Sequence, residues 1–292
     1  MSKFDELFKQ YNCQLNDAVI QQETATLVAA HFAENNNKEV YKQCLSLIDL
    51  TSLNGTDTDA DIITLVNKVN NFPANFPTTP NVAAICVYPS LVPVVVEQLT
   101  QKVEIASVAA GFPASQTFIE VKVAETAMAV MEGATEIDVV ISIGKFLEQK
   151  YQDVYEELSE IKAACREARL KVILETGALP DASSIKTAAI LAMASGADFI
   201  KTSTGKIPVA ATLEATYIMC QAIKEWHEKT GQKVSYKAAG GIVTADDAVQ
   251  HYTIVKEILG AEWLNNSMFR IGASRLANNL LSGIEGKEVK YF

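Results

Sequence analysis

The sequence predicts an α/β protein built as a TIM (β/α)8 barrel with extra N-terminal helices. Eight short apolar runs, rich in valine and isoleucine, recur along the chain and are separated by longer segments with helical spacing. This alternation favours parallel pairing of the strands. The runs are continuously apolar, which is typical of strands buried on both faces. Eight such units in about 240 residues match the barrel, and a doubly wound sheet is the alternative.

The predicted elements follow one another in chain order. Residues 1–43 precede the first strand and are predicted as a helical extension that covers the barrel's bottom or contacts a partner subunit. Residues 44–282 form the barrel, and residues 283–292 form a tail after the last helix. No low-complexity linker occurs, so we predict a single domain. The predicted strands are 45–51, 82–89, 104–112, 136–142, 171–176, 198–204, 235–241 and 269–274.

Composition restricts the partners of this chain. It has 35 acidic and 25 basic residues, a net charge of −10, which argues against a nucleic-acid partner because phosphate backbones are also negative. The most apolar stretch, 82–96, is broken by Pro89 and Pro93 and is too short to span a bilayer, so we expect no membrane partner. The five cysteines form no CxxC pair and lie mostly in apolar segments, which predicts reduced thiols and a cytoplasmic protein.

Several kinds of catalytic site are absent from the sequence. The three histidines, His31, His227 and His251, fall in helical or connecting segments, which argues against Ser-His-Asp and Cys-His arrangements. No Cys/His cluster predicts a metal. No glycine pair has the GxG spacing, and "TGKIP" lacks the hydroxyl residue that a P-loop needs after its lysine. We therefore expect chemistry by lysines, carboxylates and hydroxyls, without a cofactor.

Three charged residues in predicted strands are the candidate catalytic residues. Lys201 lies on strand six, Lys237 on strand seven and Asp138 on strand four. Neighbouring strands lie about 5 Å apart, so each ammonium group disfavours the other's charge and at least one pKa should fall. A free amine is a nucleophile for a carbonyl, and an aspartate can accept and return protons. In the alternative interpretation, the lysines are strand-end residues that reach solvent and Asp138 is a structural ion-pair partner.

Glycine-rich turns after the last strands predict a second subsite. Gly240-Gly241 follow strand seven, and Gly272 and Ser274 end strand eight. Loops at these positions of a barrel commonly bind phosphate through backbone N–H groups and a helix N-terminus. Gly205 and Lys206 after strand six could add a donor and a charge. Ordinary strand-to-helix turns are the alternative.

Six stretches then resemble deoxyribose-phosphate aldolases, which are class I aldolases on a TIM barrel. The resemblance covers residues 44–282 and is most specific in "FIKTSTGK". It implies reversible cleavage of 2-deoxy-D-ribose 5-phosphate to acetaldehyde and D-glyceraldehyde 3-phosphate, in deoxyribonucleoside catabolism. The other stretches are "KAAGGI", "GATEIDVVISIG", "VAAICVYP", "KVILETG" and "FRIGAS".

The resemblance also implies a role for individual residues. Lys201 is the Schiff-base lysine, Lys237 perturbs it, and Asp138 transfers protons. Two further residues depart from the pattern and are additional candidates: Arg275 stands where many members have a second serine, and Tyr291 precedes a final phenylalanine where some members end in a catalytic tyrosine. The remaining positions are Lys206, Gly205, Gly240, Gly241 and Ser274 near the phosphate, Thr204 and Asp49 lining the substrate pocket, and Cys86 close to it.

As partners the resemblance implies a sugar phosphate, aldehydes, and further copies of the chain in a dimer or tetramer. Two rival functions remain open. A pyridoxal-phosphate barrel also uses a Schiff-base lysine. A non-catalytic sugar-phosphate sensor would bind ligand at "AAGGI" without turnover.

Overall fold

A computed structural model describes residues 3–292, in which eight parallel strands close into a barrel. Each strand pairs with the next in chain order, and the eighth pairs with the first. Closure confirms the predicted TIM (β/α)8 barrel and excludes the doubly wound sheet, which has open edges. The strands are β1 (Ile48–Thr51), β2 (Ala84–Val87), β3 (Glu104–Val108), β4 (Glu136–Val140), β5 (Arg169–Ile173), β6 (Phe199–Lys201), β7 (Ser235–Ala239) and β8 (Phe269–Ala273).

Helices surround this barrel. They are α1 (Lys3–Gln10), α2 (Asp17–Asn35), α3 (Lys38–Ser46), α4 (Asp59–Asn75), α5 (Val92–Gln98), α6 (Ile119–Met131), α7 (Ile143–Leu147), α8 (Tyr151–Cys165), α9 (Ala182–Ala194), α10 (Leu213–Thr230), α11 (Ala245–Leu259) and α12 (Arg275–Glu285). Short 3-10 turns occupy Pro89–Leu91, Thr176–Ala178 and Ala261–Trp263. Within residues 3–292, no helix combines the length and apolar character that crossing a bilayer needs.

Helix starts after the carboxyl ends of the strands are set by local capping. Thr58 and Thr244 each form a capping box, with Asp61 and Asp247 respectively. The Thr212 side chain caps α10 by accepting a hydrogen bond from a backbone N–H. Such caps satisfy backbone donors that have no partner inside the helix. The loops between strand ends and helices therefore have defined end points.

All eight strands lie within or next to their predicted segments, but most end earlier. Strand β6, predicted over 198–204, stops at Lys201, and beyond it a side chain takes over the bonding to the end of β7. The Thr202 hydroxyl donates to Ala239 O and accepts from Ala239 N–H. Residues beyond the strand ends are thereby freed to form the mouth of the barrel.

The N-terminal extension packs on the outside of the barrel helices. Tyr11 stacks on Trp226 of α10, with ring centroids 5.4 Å apart. The Leu15 N–H donates to Ser183 Oγ at 2.9 Å, at the start of α9. Further along, the Asn35 side-chain amide donates to Thr253 Oγ1 of α11 at 3.2 Å. The extension thus consists of three helices, α1 to α3, tied to the outer helices by specific contacts.

Candidate active site

The three charged residues singled out in the sequence meet inside the barrel. Lys201 and Lys237 are direct register partners on β6 and β7, so their side chains leave the sheet on the same face. Asp138 Oδ2 of β4 accepts a hydrogen bond from each lysine Nζ, both at 2.7 Å. All three side chains are almost completely buried. A carboxylate therefore bridges two ammonium groups in a site with little water.

Further ion pairs extend this cluster across the barrel. Lys237 Nζ also lies 2.5 Å from Asp49 Oδ2 of β1. Lys171 Nζ of β5 lies 2.8 Å from the same Asp49 oxygen and also pairs with Glu136. Arg270 of β8 contacts both carboxylates, at 2.6 Å from Asp49 and 2.9 Å from Glu136. Asp49, which the resemblance implies as a pocket residue, is fully buried and connects three cations of this network.

The buried network contains one more cation than it has carboxylates. The cations are Lys171, Lys201, Lys237 and Arg270, and the carboxylates are Asp49, Glu136 and Asp138. Lys201 stands at the end of the network and pairs with Asp138 alone within residues 3–292, whereas the other cations each contact at least two carboxylates. An excess buried charge is costly. Lys201 is therefore the group whose deprotonation relieves the imbalance.

The pKa shifts agree with this charge balance. Burial lowers the pKa of Lys201, and the positive charge of Lys237 lowers it further against the opposing attraction of Asp138. Burial also acts to lower the pKa of Lys237, but Asp138 and Asp49 outweigh it and the pKa is raised. The pKa of Asp138 is lowered, because the two lysines outweigh its burial. Of the two lysines, Lys201 therefore loses its proton more readily, beside an ionised Asp138 carboxylate.

The opposite side of the barrel interior is apolar. Ala84 and Cys86 of β2 pack with Ala106 and Val108 of β3 in a separate small cluster. Cys86, predicted from the resemblance to lie close to the substrate pocket, is fully buried, and the charges of Lys237 and Lys201 act on its thiol. Burial raises the pKa of that thiol, so it stays protonated near neutral pH. This side offers an uncharged wall next to the lysines.

A pocket of about 410 Å³ opens above the cluster. Three of the predicted glycines along it have left-handed backbones, with φ of +74° at Gly205, +86° at Gly240 and +81° at Gly241. A Cβ at Gly240 would lie 2.6 Å from the Ala210 Cβ, so no larger residue fits there. The predicted residues that line this pocket are Lys201, Thr204, Gly205, Lys206, Gly240, Gly241, Ser274 and Arg275.

Basic and helix-terminal groups surround the outer part of this pocket. Ser274 is the residue before α12, and its side chain forms no capping bond. Arg275 is the first residue of the same helix and is exposed at the pocket. Lys206 Nζ donates to the Leu53 carbonyl, which links the loop after β6 to the loop after β1. Free N–H groups at the start of a helix, together with the basic side chains of Lys206 and Arg275, favour the binding of an anion in this part of the pocket.

Tyr291, the additional candidate in the C-terminal tail, does not line the pocket in this conformation. The Tyr291 hydroxyl donates to Lys68 O of α4 at 2.7 Å. Asn278 of α12 fixes the tail by accepting from the N–H groups of Tyr291 and Phe292, at 2.8 and 2.9 Å. Phe292, rather than Tyr291, lines the pocket. The tail therefore packs against α4 and α12, through these hydrogen bonds and through ring contacts of Tyr291 and Phe292 with Phe72 of α4.

Residues 44–274 match the family model described as DeoC/LacD family aldolase. The chain belongs to this aldolase family. It is 45% identical over 253 residues to a putative deoxyribose-phosphate aldolase of Caenorhabditis elegans, covering 85% of this chain and 82% of that one. It is 41% identical to human deoxyribose-phosphate aldolase, covering 82% and 78%. A solved tetrameric deoxyribose phosphate aldolase from Aeropyrum pernix is 26% identical with a TM-score of 0.65, covering 83% of this chain and 91% of that one.

Family membership confirms the predicted aldolase, a lyase. The sequence analysis missed three residues of the buried network in this DeoC/LacD aldolase: Lys171, Glu136 and Arg270. Each is a charged residue at or near the start of an apolar strand, and a charge in that position could have indicated a buried ion pair inside the barrel. Glu175, inside the predicted strand "KVILET" (171–176), was also missed, and its carboxylate accepts hydrogen bonds from Thr204.

Possible metal ligands lie away from the aldolase site. Within residues 3–292, one group could hold an ion: His31 and Glu34 of α2 with Glu257 of α11, all on the outer surface. Lys256 already pairs with Glu34 at 3.3 Å. Among the described residues, no such group lines the pocket above Lys201.

Proposed function

We propose that the chain cleaves 2-deoxy-D-ribose 5-phosphate reversibly to acetaldehyde and D-glyceraldehyde 3-phosphate, through a Schiff base on Lys201. The observation that carries the proposal is the Lys201–Asp138–Lys237 cluster at the base of a pocket with an anion-binding outer part. The names of the relatives from Caenorhabditis elegans and human support the substrate. This reaction would belong to deoxyribonucleoside catabolism.

The first half of the proposed mechanism is carbon–carbon cleavage. The neutral Lys201 amine attacks the C1 aldehyde of the ring-opened sugar, and with one proton taken up from solvent the adduct expels water and forms an iminium; hydrolysis of the last iminium returns that proton. The C3 hydroxyl gives its proton to Asp138, through a bridging water, and the C2–C3 electron pair moves into the iminium. Asp138 Oδ1 has no hydrogen-bond partner within residues 3–292, so it offers a lone pair for this transfer. Glyceraldehyde 3-phosphate leaves, and an enamine remains on Lys201.

The second half regenerates the lysine. The enamine takes a proton at C2, which Asp138 returns through the same water, and becomes the iminium of acetaldehyde. Water then adds to that iminium and releases acetaldehyde with the free amine. The water lost in the first step is regained here, so no external oxidant or cofactor is needed. Lys237 stays protonated throughout, because Asp138 and Asp49 hold its charge.

The proposed reaction is tested by sodium borohydride trapping. Protein incubated with acetaldehyde or deoxyribose 5-phosphate and borohydride should gain a two-carbon adduct that peptide mapping places on Lys201. A pyridoxal-phosphate enzyme would instead absorb beyond the aromatic range and lose that absorbance on reduction. A sugar-phosphate sensor would bind the phosphorylated sugar but form neither adduct nor glyceraldehyde 3-phosphate. Either outcome would reject the aldolase mechanism.

Lys237→Leu is expected to move the acidic limb of the activity profile to higher pH. Lys237 lowers the pKa of Lys201 in the wild type, so its removal raises that pKa and protonates the nucleophile over a wider pH range. Without Lys237, the Asp138 carboxylate also interacts more strongly with Lys201, which raises the pKa of Lys201 further. The measurement is kcat/KM against pH, with folding checked by circular dichroism because breaking a buried pair costs about 3–5 kcal/mol.

The exposed Lys233→Leu is the matched control for this experiment, since Lys233 lies on the surface beside Glu262. Its acidic limb should coincide with that of the wild type. An unshifted limb in Lys237→Leu would remove the electrostatic role assigned to Lys237.

The phosphate is expected to contribute strongly to substrate preference. Several charge-assisted hydrogen bonds, each worth about 1.5–3 kcal/mol, should favour the phosphorylated sugar over free deoxyribose by on the order of 10³-fold in kcat/KM. If Arg275 contacts the phosphate, Arg275→Ser should reduce this ratio about tenfold, since 1.4 kcal/mol corresponds to a factor of ten. Lys287→Ser, which removes an exposed charge just after α12, is the control. Equal kcat/KM values for both sugars in the wild type would reject the phosphate subsite.

We further propose a cytoplasmic homo-oligomer. The Aeropyrum pernix relative is tetrameric, which supports self-association of this chain. All five cysteines lie within the described residues, are buried and form no disulfide, which suits a reducing compartment. Sedimentation of the purified protein would give its oligomeric state.

A further inference from the structure

The turn that follows β5 holds an unusual buried glutamate. Glu175 is 2% exposed and has φ 53° and ψ 58°, in the left-handed region. Residues other than glycine rarely adopt this conformation, and they keep it only where the surrounding structure imposes it. Within the described part of the chain, its carboxylate forms no ion pair and is satisfied by Thr204 instead. A buried carboxylate without a cation is costly, so its place needs a specific reason.

Both oxygens of Glu175 bind the loop after β6. The Thr204 N–H donates to Oε1 at 3.0 Å, and the Thr204 hydroxyl donates to Oε2 at 2.6 Å. The Thr204 oxygen then accepts from the Lys206 N–H at 3.0 Å. The carboxylate thereby fixes the orientation of the hydroxyl and, through it, the backbone of Lys206.

The next two residues of the turn hold the far half of the same loop. The Thr176 hydroxyl donates to Ala210 O at 3.5 Å. A Cβ at Gly177 would lie 2.1 Å from Val209 O, so only glycine allows the loop to approach so closely. Ala211 N–H in turn donates to Gly240 O at 3.2 Å, which joins the loop to the other glycine turn of the pocket.

We propose that the Glu175–Gly177 turn positions the loop 204–211 and thereby sets the preference of the enzyme for a phosphorylated substrate. Glu175 is a positioning residue: it acts on the substrate through Thr204 and Lys206. The inference rests on the proposed function, because it assumes that Gly205 and Lys206 face the substrate phosphate. Residues 175–177 do not line the pocket, so we expect a change of the Glu175 side chain to leave the amine chemistry of Lys201 intact.

Glu175→Gln tests this role with little change in shape. Glutamine has one acceptor oxygen where glutamate has two, so it cannot accept from both the Thr204 N–H and the Thr204 hydroxyl, and the loop loses one of its two fixing bonds. We expect KM for deoxyribose 5-phosphate to rise about 10- to 100-fold, as for the loss of one or two charge-assisted hydrogen bonds. The kcat, the activity on free deoxyribose, the pH profile and the acetaldehyde adduct should stay as in the wild type. Gly177→Ala should act in the same direction by displacing Val209.

Gly144→Ala is the matched control for the alanine variant, since a Cβ there meets only Gln116 Nε2 at an ordinary 3.6 Å. Equal losses on phosphorylated and free sugar would mean a merely structural role and overturn the inference, as would unchanged kinetics on both. If either Glu175→Gln or Gly177→Ala does not fold, the other variant decides the test. Failure of both variants to fold also counts against the inference. A wild-type protein that neither cleaves the sugar nor forms the adduct would instead reject the proposed function.

Discussion

Lys201→Arg is expected to abolish turnover, with kcat/KM lowered on the order of 10⁴-fold or more, as when an enzyme loses its nucleophile. Arginine keeps the positive charge that pairs with Asp138 but has no amine that can lose its proton near neutral pH. The variant should therefore fold and still bind the sugar phosphate. Borohydride with acetaldehyde should label the wild type and leave the variant unlabelled, as measured by intact mass.

Lys233→Arg is the control for this substitution, because it makes the same change at an exposed lysine. It should keep both turnover and adduct. An adduct that maps to Lys237 in the wild type, or that persists in Lys201→Arg, would show that the two lysines have exchanged the roles assigned here.

Asp138→Asn is expected to separate adduct formation from turnover. The amide has the same shape but cannot accept the C3 hydroxyl proton, so kcat should fall about 10²- to 10⁴-fold, the usual contribution of a general acid–base group. The negative charge of Asp138 raises the pKa of Lys201, so its removal lowers that pKa and leaves the amine free. The acetaldehyde adduct should therefore still form, while cleavage of deoxyribose 5-phosphate is slow.

Asp153→Asn, at a half-exposed aspartate of α8, is the control and should retain full activity. The measurements are single-turnover cleavage, exchange of deuterium from solvent into acetaldehyde, and adduct mass. Loss of the adduct together with turnover would indicate that Asp138 is needed to hold Lys201 in place rather than to move a proton.

Barrel geometry explains why the central residues could be predicted from the sequence. In a parallel barrel, successive strands lie side by side, so charged residues in neighbouring apolar runs must meet. Lys201 and Lys237 are direct register partners for this reason. The glycine turns after β6 and β7 could likewise be predicted from the sequence, because a left-handed backbone restricts the residue type locally.

Contacts across the barrel and between loops could not be predicted in this way. Lys171 and Arg270 looked like charges near the start of their strands, and only closure of the barrel brings both to Asp49. The position of the tail is set by Asn278, which holds it through three hydrogen bonds to residues 13 and 14 positions away. The hydrogen bond between Thr204 and Glu175 joins the loops after β6 and β5.

The sequence by itself therefore determined the fold class, the three central charged residues and the glycine turns, since these depend on strand periodicity, chain order and local backbone conformation. Only the tertiary structure decided which amine has a single carboxylate partner, where the tail lies and which turn holds the loop over the pocket. These features depend on distances between residues far apart in the chain. Such distances are set by closure of the barrel and by packing of the helices around it, and no local pattern encodes them.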